Sequence, residues 1–203
     1  MENEVSRASI KAVILGDSSV GKSSIIAKYD TGMMPDHISP TVGAAYLSKI
    51  ITYDDTEIEL RIWDTAGQET YQSLTPIYFR NSSIGFVVFD ITQRNTFESI
   101  PKWVSQLKEH AGSNILSVLV ANKIDLDNNR EIKQDEYMQF ANQNDMIVTE
   151  VSAKSGLGII NMIDNAVSTF IKTNSDFRYE MYASKRKMEQ KLTPHDTGKS
   201  SCC

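Results

Sequence analysis

The segment Gly16-Asp17-Ser18-Ser19-Val20-Gly21-Lys22-Ser23-Ser24 joins an apolar run, Ile10 to Leu15, to a helical pattern. Glycine, four residues, then Gly-Lys-Ser is a spacing at which successive backbone N–H groups turn inward beside a helix N-terminus, forming an anion site. A lysine placed like Lys22 reaches the outer phosphates of a nucleotide, and a hydroxyl placed like that of Ser23 holds Mg²⁺. Ser18, Ser19, Val20, Gly21, Lys22, Ser23 and Ser24 are therefore the candidate phosphate residues. A glycine-rich turn also occurs where a chain merely reverses, because glycine permits positive φ. Strand, turn, Lys-Ser and helix in this order favour the phosphate reading.

Two later segments point to the base. Asn122-Lys123-Ile124-Asp125 follows the apolar run Leu116 to Ala121. A carboxylate at such a strand end accepts from guanine N1–H and from its exocyclic amine. Adenine offers no such pair and would leave Asp125 desolvated and unpaired. The Lys123 stem can lie over the ring system while its ammonium stays solvated, and Asn122 is expected to tie this loop to neighbouring backbone. Ser152-Ala153-Lys154 follows the short apolar strand 146–151, and its backbone N–H at Ala153 suits guanine O6. Alone, either segment reads as an ordinary surface turn.

Asp64-Thr65-Ala66-Gly67-Gln68 ends a strand over 57–63. Asp64 is placed to order Mg²⁺ through a water, and the Gly67 N–H can approach a γ-phosphate because no Cβ intervenes. The Gln68 amide is no base; its use is to orient an attacking water. Thr41 is the second hydroxyl for Mg²⁺, which takes oxygen ligands and keeps several waters.

These motifs, in this order and spacing, resemble a Ras-superfamily small GTPase, and specifically a Rab, over about residues 10–171. Rab character rests on Val42-Gly43-Ala44-Ala45-Tyr46, Leu60-Arg61-Ile62-Trp63, Tyr71-Gln72-Ser73-Leu74, Tyr78-Phe79-Arg80 and Phe89-Asp90-Ile91-Thr92. Ala44-Ala45 before an aromatic, with Leu74 and Pro76, is most similar to the early-endosomal Rab subgroup. The resemblance implies a switch that hydrolyses GTP to GDP, with Mg²⁺ as cofactor and a role in endocytic vesicle traffic. Implied partners are an exchange factor, a GTPase-activating protein, effectors, a GDP-dissociation inhibitor and the prenylation machinery. Tyr46, Trp63 and Tyr78 resemble the aromatic trio that Rabs show to effectors. Two residues depart from the family pattern. Met34 stands where an aromatic usually covers the guanine ring, and Thr70 replaces the usual arginine after Gln-Glu.

Elsewhere, the 203 residues suit one domain with a sizeable core, and 40% hydrophobic with 23% charged residues is ordinary for a globular chain. A net charge of −5 argues against a broad nucleic-acid surface. The acidic start, Met1-Glu2-Asn3-Glu4, is unlike a signal peptide, and residue 2 is not the glycine that N-myristoylation needs. Apolar stretches are too short to span a bilayer.

Strand patterns fall near 10–15, 46–53, 57–63, 84–90, 116–121 and 147–151. Helical ones fall near 22–30, 70–79, 97–110, 134–144 and 158–172. Phe97, Ile100, Val104 and Leu107 make one apolar face. The alternation predicts an α/β fold with a six-stranded, mostly parallel sheet and helices on both faces; the resemblance implies that this is the P-loop small-GTPase fold. Ligand then binds at the strands' carboxyl ends, where all these motifs lie. Trp103 and Met162 read as core filling.

The organisation expected is a flexible segment over 1–9, a GTP-binding domain over 10–173 and a flexible tail over 174–203. From Asp176 onward, six basic residues face four acidic ones, with Lys185-Arg186-Lys187 together. The only two cysteines, Cys202 and Cys203, are the last two residues. A core disulfide between adjacent cysteines is excluded, and two adjacent thiols without histidine partners argue against a metal site. In Rabs a terminal Cys-Cys resembles a site of double geranylgeranylation, and two lipid chains anchor stably where one anchors marginally. The expected place is the cytoplasmic face of endosomal membranes, with a cytosolic pool. Two other readings are a P-loop phosphotransferase acting on a small substrate and a GTP-binding scaffold without turnover. The first needs neither the base motifs nor the cysteines; Gln68 argues against the second.

Overall fold

A computed structural model describes residues 7–34, 44–65, 75–112 and 114–192. Six strands form one sheet in the order β2-β3-β1-β4-β5-β6: β1 (Ser9–Leu15), β2 (Ala44–Tyr53), β3 (Thr56–Thr65), β4 (Ile84–Asp90), β5 (Leu116–Asn122) and β6 (Ile147–Val151). Only β2 runs antiparallel, paired with β3 through a tight turn whose Asp54 and Asp55 have φ of 48° and 54°. Mirror-image turns of this kind match the twist of the flanking strands. All other pairings are parallel. The helices are α1 (Lys22–Thr31), α2 (Thr75–Phe79), α3 (Arg94–Glu98), α4 (Ile100–Ala111), α5 (Gln134–Gln143), α6 (Ile159–Thr173) and α7 (Ser175–Leu192), with a 3-10 turn at Ile124–Asn129. The expected α/β architecture is the one observed.

Alternation along the central strands divides the core in two. Ile10, Ala12, Ile14, Phe86, Val88 and Val120 pack against α1, α6 and α7. Val13, Leu15, Val87, Phe89 and Leu119 pack against α2, α4 and α5. Every residue of β4 is buried, as expected for a strand covered on both faces. Trp103 and Met162 are core residues, as expected.

Two expectations need correction. The helix expected over 97–110 is two helices separated at Ser99, because Pro101 has no N–H to donate to the Phe97 carbonyl four residues back. The tail expected to lack regular structure from 174 is helical over Ser175–Leu192. Asn174 caps this helix by accepting from Phe177 N at 2.8 Å. Phe177 and Met181, four apart, join the core under α6, and Tyr182 Oη donates to Asp54 Oδ2 at 2.6 Å. Apolar burial at a helical spacing outweighs the basic composition that argued for a solvated chain. Residues 1–6 and 193–203, including Cys202 and Cys203, lie outside the described residues, as do 35–43, 66–74 and 113.

Candidate nucleotide site

The loop between β1 and α1 holds an unusual backbone, with φ of 140° at Gly16, 64° at Ser19 and 96° at Gly21. At both glycines space is as restrictive as φ. A Cβ on Gly16 would lie 2.2 Å from the Val88 carbonyl oxygen, and one on Gly21 2.4 Å from Asn122 Nδ2. Val20 and Ser24 are buried, Ser23 is half-buried in the first turn of α1, and Ser18 and Ser19 are exposed.

Lys22 folds back across this loop. Its Nζ donates to the carbonyls of Gly16 at 2.9 Å and Asp17 at 2.7 Å, and only 6% of the residue is exposed. Burial lowers its pKa from 10.5 to about 8, against the opposing pull of the Asp64 and Asp17 carboxylates. The loop thus holds one buried positive charge against two of its own carbonyls. Asp64, 3% exposed, is the penultimate residue of β3, opposite Ile14 of β1, and Thr65 Oγ1 donates to the Ile14 carbonyl at 2.8 Å. These contacts hold Asp64 beside the phosphate loop. Ser23 and Asp64 are hard oxygen donors of the kind Mg²⁺ takes when phosphate oxygens and water complete its shell, so this chemistry fits the ion. Among the described residues there is no separate cluster of three His, Cys, Asp or Glu. Thr41, Gly67, Gln68 and Thr70 lie outside the described residues.

The base segments converge on the same loop. Asn122, fully buried, donates from Nδ2 to the Val20 carbonyl at 2.7 Å and accepts at Oδ1 from Ala153 N at 3.1 Å. One amide therefore ties the phosphate loop, the end of β5 and the 152–154 loop together. The Ala153 N–H expected for guanine O6 spends its bond on this joint. Ser152 Oγ donates to Asp125 Oδ1 at 2.6 Å and accepts from Ser155 N at 3.1 Å, so the exposed Asp125 carboxylate is held in one orientation by the 152–155 loop. Lys154 is exposed.

Lys123 departs from expectation: its ammonium is not left to water. It pairs with Asp90 Oδ2 at 2.6 Å, and Asp90 is 1% exposed. The other Asp90 oxygen accepts from Thr92 N and Oγ1 at 2.9 and 2.7 Å. A buried carboxylate at the end of β4 demands a counter-charge, and Lys123, held in the left-handed region at φ 69°, supplies it. Asp90 was missed as a site residue; its signal was a carboxylate ending an apolar strand, two residues before a threonine. Asp17 was missed too, although it stands inside the loop motif. Its carboxylate accepts from Trp103 Nε1 at 2.7 Å and Ser99 Oγ at 2.8 Å.

Beside the site, Tyr46 on β2, Trp63 on β3 and Tyr78 on α2 form a row with ring centroids 5.0 and 5.6 Å apart. Lys11 Nζ lies 5.5 Å from the Trp63 ring centroid. Tyr46 is half exposed. Met34, after α1, is 43% exposed.

A parallel sheet with a phosphate loop at its carboxyl edge, and two base loops joined to that loop by Asn122, defines a P-loop nucleotide-binding protein. Residues 11–172 match the family model described as the Ras family, and the chain belongs to that family. It is accordingly a small GTPase that hydrolyses GTP to GDP and works as a molecular switch. No helix among the described residues is long and apolar enough to cross a membrane.

Proposed function

We propose that the chain is a Rab-type switch in endocytic vesicle traffic, reading guanine with Asp125 and attaching to membranes through Cys202 and Cys203. The observation that carries the guanine reading is the Ser152–Asp125 bond, which pre-aims a carboxylate within a loop already tied to the phosphate site. Asp125 accepts from N1–H and the exocyclic amine, and O6 shares the Ala153 N–H with Asn122 in a three-centre bond. The stem of Lys123, fixed by Asp90, covers one ring face. Ser18 to Ser24 take the phosphates. Mg²⁺, held by Ser23 and Thr41 and ordered by Asp64, would neutralise the charge between the outer phosphates. Gly67 and Thr41 respond to the γ-phosphate, so the loops that carry them are released on hydrolysis. Gln68 orients the attacking water. Intrinsic turnover is slow, and an activating partner's arginine accelerates it by roughly 10³–10⁵.

The Rab assignment draws on the Tyr46-Trp63-Tyr78 row as the effector surface and on the last two cysteines as a doubly prenylated anchor. With it come an exchange factor, effectors and a GDP-dissociation inhibitor, and a place on the cytoplasmic face of endosomal membranes with a cytosolic pool. Lys185, Arg186 and Lys187 add attraction to an anionic surface, about 1 kcal/mol per basic residue close to it.

Competition binding tests the base: Asp125→Asn should move preference from GDP towards XDP, and an unchanged GDP preference overturns the assigned role. Gln68→Leu should retain GTP binding and slow single-turnover hydrolysis. Replacing both cysteines by serine should leave nucleotide binding intact and move the protein from membranes to cytosol. Mass spectrometry of the native C-terminus completes the test, since an unmodified terminus on membrane-bound protein refutes the lipid anchor.

A further inference from the structure

Asp17 faces two ways. Its main-chain carbonyl accepts from Lys22 Nζ at 2.7 Å, inside the phosphate loop. Its carboxylate is held from outside, by Trp103 Nε1 and Ser99 Oγ, which lie 86 and 82 residues further along the chain. Ser99 caps α4, so the carboxylate sits at that helix's N-terminus, where the helix field favours negative charge. Bonds from neutral donors to an ionised oxygen are among the stronger hydrogen bonds. Trp103 is 4% exposed and packed in the core that includes Val104 and Leu107. Its indole cannot turn away without repacking, and a buried N–H left without an acceptor is costly.

The loop has reason to need such a hold. Gly16, Ser19 and Gly21 all sit at positive φ, and Ser19 is not glycine. Glycine adopts positive φ freely, but at Ser19 the left-handed conformation persists only where its surroundings over-determine it. Asn122 anchors the loop at Val20, and α4 anchors it at Asp17. The first anchor belongs to the base loops. The second leads to a helix that also packs against α2, whose Phe79 ring lies 6.4 Å from His110 of α4.

We propose that Asp17 is a positioning residue of the phosphate site, held by Trp103 and Ser99, and that nucleotide release depends through it on the seating of α4. This rests on residues 16–24 binding phosphate. With the anchor in place, the Asp17 carbonyl stays aligned towards Lys22 and the loop keeps its inward N–H groups. Without it, the loop relaxes at the β1 end while the base loops stay joined.

The test is release of fluorescent GDP from the full chain, alongside equilibrium affinity for GDP and for GMP. Asp17→Ala and Trp103→Phe should each speed GDP release about tenfold, the loss of one strong hydrogen bond to a charged group. Asp17→Asn, which keeps an acceptor for the indole, should recover most of the Asp17→Ala defect. The double variant Asp17→Ala, Trp103→Phe should release GDP no faster than Asp17→Ala. Affinity for GMP, which lacks the β-phosphate, should change far less than affinity for GDP; general loosening of the protein would weaken both alike. The chain has only two tryptophans, so the Trp103 indole N–H is readily assigned by NMR, and its exchange with solvent should accelerate in Asp17→Ala. Folded variants with wild-type release, or with equal losses for GMP and GDP, overturn the proposal. Should Asp17→Ala fail to fold, Trp103→Phe carries the same test. Lys22→Met separates the two levels. Intact GDP affinity in that variant overturns the phosphate-loop reading and the brace with it, whereas a Lys22→Met defect beside wild-type release in the Asp17 and Trp103 variants overturns the brace alone.

Discussion

The two ends of the sheet are built on opposite terms. At the carboxyl end, Lys22, Asp64 and Asp90 are charged and almost fully buried, and a short loop holds three positive-φ residues. At the other end, α7 is held by ordinary means: Phe177 and Met181 in an apolar core and one exposed bond from Tyr182 to Asp54. Burying charge costs free energy, whereas positive φ occurs at both ends, at Gly16, Ser19 and Gly21 here and at Asp54 and Asp55 there. The end that bears the buried charge carries the candidate nucleotide site, while the far end carries apolar packing. Affinity and stability should therefore separate when the two ends are changed in turn.

The largest effect belongs to Lys22. Lys22→Met should lower GDP affinity by at least roughly 100-fold, because a preorganised charge at the phosphates is lost. Thermal unfolding of the nucleotide-free protein should at the same time show no loss of stability, since a buried cation has been removed. A variant that binds GDP normally, or unfolds well below wild type, would break the contrast.

Met181→Ala is the mirror experiment. Removing a fully buried methionine should destabilise the fold by about 2–4 kcal/mol in denaturant titration. GDP affinity should stay within about twofold, as distant sites act independently. A matching fall in affinity would mean that α7 and the nucleotide site are one cooperative unit.

Solution pH sharpens the comparison. Burial lowers the Lys22 pKa from 10.5 to about 8, and phosphates bound at the loop should raise it again. Between these values the unfolded chain binds more protons than the folded one, so stability of the protein stripped of nucleotide should rise from about pH 8 to 10.5. Binding takes up a proton in the same window, so GDP affinity should fall there by up to about tenfold per pH unit. Calorimetry in buffers of different ionisation enthalpy measures that uptake, and Lys22→Met should abolish it. Equal affinity at pH 7 and pH 9.5 in the unmutated chain contradicts the role given to this ammonium.

The smallest effect is expected at Tyr182→Phe, which removes one exposed hydrogen bond. Stability should change by about 0.5 kcal/mol or less, with nucleotide release unaltered. A larger change would show that this contact, rather than the Phe177 and Met181 packing, seats the helix.

Legibility in the sequence followed how local each feature's cause is. The phosphate loop was readable because its glycines, lysine and hydroxyl act within nine consecutive residues, and the apolar runs of β4 and β5 were readable because a strand buried on both faces is apolar throughout. The α3–α4 break was decided by a local proline, yet the apolar spacing carried across it. The cap at Asn174 and the Phe177–Met181 pair were local too, but the basic residues beyond them drew attention to solvation instead.

By itself, then, the order of residues determined the sheet, the helices α1, α5 and α6, the phosphate loop and the nearness of both base segments to the strands' carboxyl ends. Periodicity and short motifs are properties of neighbouring residues. Only the tertiary structure decided that Asn122 reaches back 102 residues to Val20, that Lys123 gives its charge to Asp90 and that Asp17 is gripped by Trp103. Each of those choices is a buried polar group finding its partner, and which partner lies within 3 Å is set by how strands and helices pack, not by what precedes or follows in the chain.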